Sequence, residues 1–151
     1  MCWPGASDPT RAASRGRGAT AADLDGLLRR SDVVSLHLRV SAETRGLIDS
    51  RRLGLMKHDA VLVNTARAAL VDRDALIHAL TERRIAAAGL DVFHTEPLPR
   101  DDPLLKLPNV VLTPHGGSNI DHVVARGLMT AVANIENFLK GRPTNLVVDP
   151  R

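Results

Sequence analysis

A chain of 151 residues, 44% apolar and carrying 20 basic against 17 acidic groups, is long enough for one domain with a real core and argues against general disorder. Its aromatic side chains are Trp3, Phe93 and Phe138, with no Tyr, so the core is expected to be aliphatic and a stacking platform for nucleic-acid bases is excluded. The single cysteine, Cys2, excludes an intrachain disulfide and a cysteine-rich metal site; with no apolar run of bilayer length and no secretory signal, a cytoplasmic protein without membrane or nucleic-acid partners is expected.

Residues 1–22 are rich in Gly, Ala, Ser and Arg and show no apolar period, which predicts a poorly structured N-terminal stretch. Its arginines, Arg11, Arg15 and Arg17, fit a solvated start better than a nucleic-acid arm. Asp23 is placed to cap a short helix with Leu24, Leu27 and Leu28 on its apolar side. A strand is predicted over 33–38, then a mixed segment in which Asp49 caps a short helical turn ending near Gly54. A second strand spans Ala60–Asn64, where Val61, Leu62 and Val63 form the continuous apolar run that burial on both sheet faces demands.

Asp72 caps the next helix, predicted over 72–84, with Val71 and Leu76 at the positions of a hydrophobic staple. The third strand, 85–92, contains Ala86–Gly89, so little side-chain bulk that something is expected to pack close there. A proline-rich loop with Pro97, Pro99, Pro103 and Pro108 leads to a fourth strand at 110–112. The longest helix follows. Ser118 and Asp121 suggest a capping box, Ile120 to Leu139 carries an apolar stripe, and Gly141 ends the helix. The tail over 143–151 holds a short apolar run suited to an edge strand or to docking on another domain.

Alternating strands and helices predict an open, mostly parallel sheet with its working residues at the carboxyl ends of the strands. That places Arg67, Glu96 and His115 at three strand tips on one edge. A guanidinium grips a carboxylate through two parallel hydrogen bonds. An imidazole exchanges a proton near neutral pH, and a carboxylate beside it favours the charged ring and fixes its orientation. Each residue alone is as well explained by a surface or loop-stabilising role; their joint placement is what points to chemistry on an anionic, oxygen-bearing substrate. His115, His94 and Asp91 follow no metal-ligand spacing, and no metal is expected.

The segments SDVVSLHL, ETRGLI, LGLMKHDAVLVNTAR, ALVDRDALIHAL, AAGLDVFHTEPLP, PLLKLPNVVLTPH and NFLKGRPTN resemble the NAD-binding domain of the D-isomer-specific 2-hydroxyacid dehydrogenases, over roughly residues 23–148 and reaching back to Asp8 at most. The resemblance implies a Rossmann-like, doubly wound sheet and hydride transfer between NAD(H) and a 2-hydroxy/2-oxo acid. Arg67 would then bind substrate, Glu96 would partner His115, and His115 would move the proton. Leu38, Thr65, Ala66, Arg67, Asp91, His115, Gly116, Gly117 and Ser118 would line or contact the cofactor, and Asp8 would bind the adenosine ribose. A homodimer is also open to the chain.

The sequence departs from that family at several points. Arg39 replaces a usual Pro, Ala68 the glycine after the arginine, and Arg84 a common turn glycine, while Ile120 stands where Thr is frequent. A Cβ on Ala68 beside Arg67 is expected to crowd the substrate or shift the guanidinium. No G-x-G-x-x-G is present, and the separate substrate domain of the family has no counterpart. The expectation is a truncated member: an incomplete Rossmann-like parallel sheet at 23–142 with flanking helices and a long C-terminal helix. As an isolated chain it is expected not to turn over. The alternative is a catalytically inactive relic that associates through Leu128, Val132, Ile135 and an uncovered sheet edge.

Overall fold

The computed structural model describes residues 20–117 and 120–146, in two compact units that divide between His115 and Gly116. The first unit holds four short strands, β1 (Val33–Leu36), β2 (Val61–Asn64), β3 (Ala87–Leu90) and β4 (Val110–Leu112). They lie side by side in chain order and every pair is parallel, with Val33 opposite Val61, Val61 opposite Ala87 and Ala88 opposite Val110. A short helix, α1 (Leu24–Arg30), leads into β1. Parallel neighbours need a crossover between them, and the segments between strands supply it: α2 (Ser50–Leu53) before β2, α3 (Arg73–Thr81) before β3 and a 3₁₀ turn (Pro103–Lys106) before β4. The predicted fold class is the one found.

Helix starts follow the sequence closely. Asp23 accepts from the Gly26 N–H at the head of α1, Asp49 from Arg52 N–H at α2, and Asp72 from Ala75 N–H at α3. In each case a short carboxylate satisfies a donor that the first turn leaves unpaired. Val71 and Leu76 are both buried across the α3 cap, as a staple requires. The core is aliphatic: Leu28, Ile48, Leu62, Leu70 and Ile85 are completely buried, and no aromatic residue is among its buried members.

The structure corrects several boundaries. The strands are shorter than their apolar runs, ending at Leu36 rather than 38 and spanning 87–90 rather than 85–92. Ile85 and Val92 are nonetheless buried, so hydrophobicity there marks core rather than pairing. α3 stops at Thr81, because Arg83 turns left-handed (φ 54°), its N–H donating to Leu80 C=O and the Arg84 N–H to Ala79 C=O. That is a Schellman closure, and the residue in the position glycine prefers is Arg83, not Arg84. Close packing against Ala86–Gly89 is not found at Gly89, where an added Cβ would meet only Val63 Cγ2, at 4.0 Å. The mixed segment before α2 also has a role the sequence did not reveal. Ile48 N–H donates to Leu70 C=O and Asp72 N–H to Ile48 C=O, so this stretch is stitched to the loop after β2.

The second unit is built on α4 (Asp121–Leu139). Ile120 occupies its N-cap position and makes no capping side-chain bond; Ser118, the expected cap, lies outside the described residues. Its far end repeats the α3 closure with the expected residue: Gly141 (φ 70°) donates to Phe138 C=O and Arg142 to Asn137 C=O. Among the described residues no helix is long and apolar enough to cross a membrane.

Candidate active site

The carboxyl ends of β2, β3 and β4 carry the three predicted residues. Arg67 follows β2 by three residues, in extended backbone (φ −151°, ψ 136°) just before a 3₁₀ turn over Ala68–Leu70. Because Ala68 opens that turn rather than a left-handed bend, it needs no glycine. It also lines a cavity of about 320 Å³.

Glu96 and His115 meet. His115 Nδ1 lies 2.8 Å from Glu96 Oε2, and Glu96 Oε1 accepts from the Phe93 N–H at 2.9 Å. The carboxylate is therefore held at both oxygens, once by its own loop and once by the imidazole. The Glu96–Pro97 peptide is cis. His115 itself has a left-handed backbone (φ 53°), a conformation histidine adopts more readily than most side chains. The hydrogen bond from His115, then the Phe93 N–H, hold the Glu96 carboxyl below its ordinary value, and the charge of Arg67 adds to this. Glu96 and His115 line a largely apolar cavity of about 630 Å³ with Phe93, Leu105, Leu112 and Thr113.

The residues expected to contact the cofactor divide by place. Leu38, Ala66 and Arg67 line one cavity, of about 400 Å³, beyond the tips of β1 and β2. Thr65 is exposed beside it. Asp91 is buried just past β3 and accepts a hydrogen bond from Thr113 Oγ1. Gly116 and Gly117 open the second unit, and Asp8 and Ser118 lie outside the described residues. Among the described residues no group of three or more His, Cys, Asp or Glu side chains is placed to hold a metal ion.

Two residues that sequence reasoning passed over build the frame. Asn64, 2% exposed at the end of β2, accepts from the Ala66 N–H (3.1 Å) and donates to the Arg67 C=O (3.0 Å), while its backbone C=O takes the Asp91 N–H. Thr113 links the other way, its N–H to Leu90 C=O and its hydroxyl to Asp91. A buried amide side chain requires partners, so an Asn inside an apolar strand run was the available signal.

The family model described as "D-isomer specific 2-hydroxyacid dehydrogenase, NAD binding domain" matches residues 5–117. A glyoxylate reductase from Aeropyrum pernix is 49% identical over 131 residues, which is 86% of this chain and 39% of that protein. The TT0316 protein from Thermus thermophilus superposes with a TM-score of 0.81 at 47% identity, covering 85% of this chain and 41% of the other. A D-lactate dehydrogenase with NAD+ from Lactobacillus jensenii gives 0.84 at 30% identity, with 97% and 47% covered. The chain therefore spans less than half the length of each.

Proposed function

The chain belongs to the NAD-binding domain family of the D-isomer-specific 2-hydroxyacid dehydrogenases, and on that premise we propose that it carries the acid–base and substrate-binding half of a 2-hydroxy/2-oxo acid oxidoreductase site. The domain itself is taken as 23–142, followed by a tail at 143–151. The 2.8 Å bond between His115 Nδ1 and Glu96 Oε2 carries the proposal. It leaves Nε2 of the ring to face a substrate oxygen. His115 donates a proton there during reduction of the 2-oxo acid and accepts one in the reverse direction, while the Glu96 charge stabilises the protonated ring. Arg67 holds the substrate carboxylate through parallel N–H donors. A bound nicotinamide supplies or accepts the hydride.

The residues near the reacting end suit that cofactor: a buried Asp91 fixed by Thr113, and exposed turns at the carboxyl ends of parallel strands. The sequence contains no G-x-G-x-x-G for the pyrophosphate. With NADH and glyoxylate the isolated chain is accordingly expected to show no loss of absorbance at 340 nm. The test is transplantation: residues 23–142 exchanged into the Aeropyrum pernix glyoxylate reductase should give a chimera that reduces glyoxylate. Arg67→Gln or His115→Gln should each abolish that activity, and a chimera indifferent to both would end the proposal. NADH oxidation by the isolated chain that depends on Arg67 and His115 would overturn the expectation of inactivity.

A second reading, association with another copy, is favoured by the exposure of Leu128 (64%), Val132 (49%) and Ile135 (61%) on α4. Sedimentation velocity should then show a dimer that Leu128→Lys converts to monomer; an unchanged dimer would count against α4.

A further inference from the structure

Between α3 and the loop after β3 lies the cavity of about 320 Å³, whose lining includes none of Arg67, Glu96 and His115. Its floor is aliphatic: Leu76, Leu90, Val92 and Leu104 line it, and all four are buried. Its other wall is the loop itself, where His94, Thr95 and Pro99 are exposed, so solvent reaches the space from that side. Phe93 and Leu98 also line the larger cavity of Glu96 and His115, which makes the loop a partition between the two. The smaller cavity is of a size that takes a small ligand.

The fixed charges on its lining cancel. Arg73 Nη2 donates to Asp102 Oδ2 at 2.8 Å, and Asp102 Oδ1 takes the Leu104 N–H at 2.9 Å. The Asn64 amide is committed as well, to the Ala66 N–H and the Arg67 C=O. What remains for a ligand sits at the mouth, where the Thr95 hydroxyl and the His94 ring make no hydrogen bond among the described residues. A charged ligand would shed its water and find the guanidinium and the carboxylate already matched to each other. An aliphatic tail gains from every CH₂ it lays on the floor, and a neutral head at the mouth needs no counter-charge.

We propose that this cavity is a second binding site, for an uncharged ligand with a short aliphatic tail and one hydrogen-bonding head. The tail lies on Leu76, Leu90, Val92 and Leu104, and the head meets Thr95 and His94 at the mouth. The Arg73–Asp102 pair stays closed beside it. The site uses none of Arg67, Glu96 and His115, so it stands or falls apart from the function proposed above.

The experiment is an NMR titration of the full chain with butanamide, pentanamide and hexanamide, set against hexanoate and hexylammonium at pH 7. The methyl resonances of Leu76, Leu90 and Leu104 report on the floor. Affinity should rise about fourfold for each added CH₂ along the amides, the gain of burying one methylene. Hexanamide should bind about tenfold or more tighter than either ion. Ala68→Leu puts bulk into the cavity and Thr95→Trp covers its mouth, and each should weaken hexanamide binding about tenfold. Thr95 is exposed, so its replacement tests the site even if Ala68→Leu fails to fold. An affinity that ignores tail length, ions that bind as well as the amide, or binding that survives Thr95→Trp overturns the inference. Shifts gathered at Leu105 and Leu112 instead would place the amides in the larger cavity and overturn it too.

Discussion

Replacing Asn64 tests whether the frame beneath the site is held by one side chain. Asn64→Leu keeps the branching of the side chain, with two methyl groups in place of the amide oxygen and nitrogen, in a position 2% exposed, so no cavity forms, but it deletes the bonds to the Ala66 N–H and the Arg67 C=O. Two hydrogen bonds at about 0.5–1.5 kcal/mol each give a loss of about 1–3 kcal/mol. Asn64→Asp keeps the acceptor, loses the donor, and buries a carboxylate. Burial raises the folded-state pKa of that carboxylate above its unfolded value, so the folded state holds more protons and the defect shrinks as pH falls toward the unfolded value of about 3.9. Urea unfolding followed by far-UV circular dichroism at pH 7.5 and 5.5 measures both effects, with amide exchange at Ala66 as the local report. Asn64→Leu should show the same deficit at both pH values and Asn64→Asp a smaller one at the lower. A Leu variant within about 0.5 kcal/mol of the parent, or an Asp variant whose deficit ignores pH, would show that the Arg67 turn is held by something else.

Burial raises the Asp102 pKa, but hydrogen bonds from Arg73 and the Leu104 N–H outweigh it and leave the group below its ordinary value. A lowered folded pKa means stability that is present above about pH 3.9 and lost as pH falls through the depressed value. Asp102→Asn should therefore cost about 1–2 kcal/mol at pH 7, with the gap closing in acid; a constant gap would point to packing instead of charge. Arg83→Gly removes a side chain from a left-handed helix end and should stabilise by about 0.5 kcal/mol, part of the relief returning as unfolded-chain entropy. A loss in thermal or urea unfolding would mean the Arg83 side chain contributes more than its backbone strain costs.

The legible parts of this fold are those set by near neighbours in sequence. Asp23, Asp49 and Asp72 cap helices because a short carboxylate reaches only the next few amides, and β2 was visible because three consecutive aliphatics at 61–63 suit a strand buried on both faces. Strand ends were misplaced because Ile85 and Val92 are buried without pairing, and hydrophobicity reports burial alone. The turn-glycine position after α3 reads from the sequence as Arg84 but falls at Arg83, since neither side chain advertises a positive φ. In the site, the Glu96–His115 pair followed from residue type and strand order, whereas the frame around Asn64 did not. Its partners, Ala66 N–H and Arg67 C=O, are backbone groups that any residue would offer, and only the fold decides that they face an amide.

Glu96 takes one bond from Phe93 within its own loop and the other from the imidazole at the tip of the adjoining strand. Both of these bonds on the carboxylate are thus made within a run of 23 residues from Phe93 to His115. Such a run can pass between polypeptides by recombination with its geometry arriving ready-made.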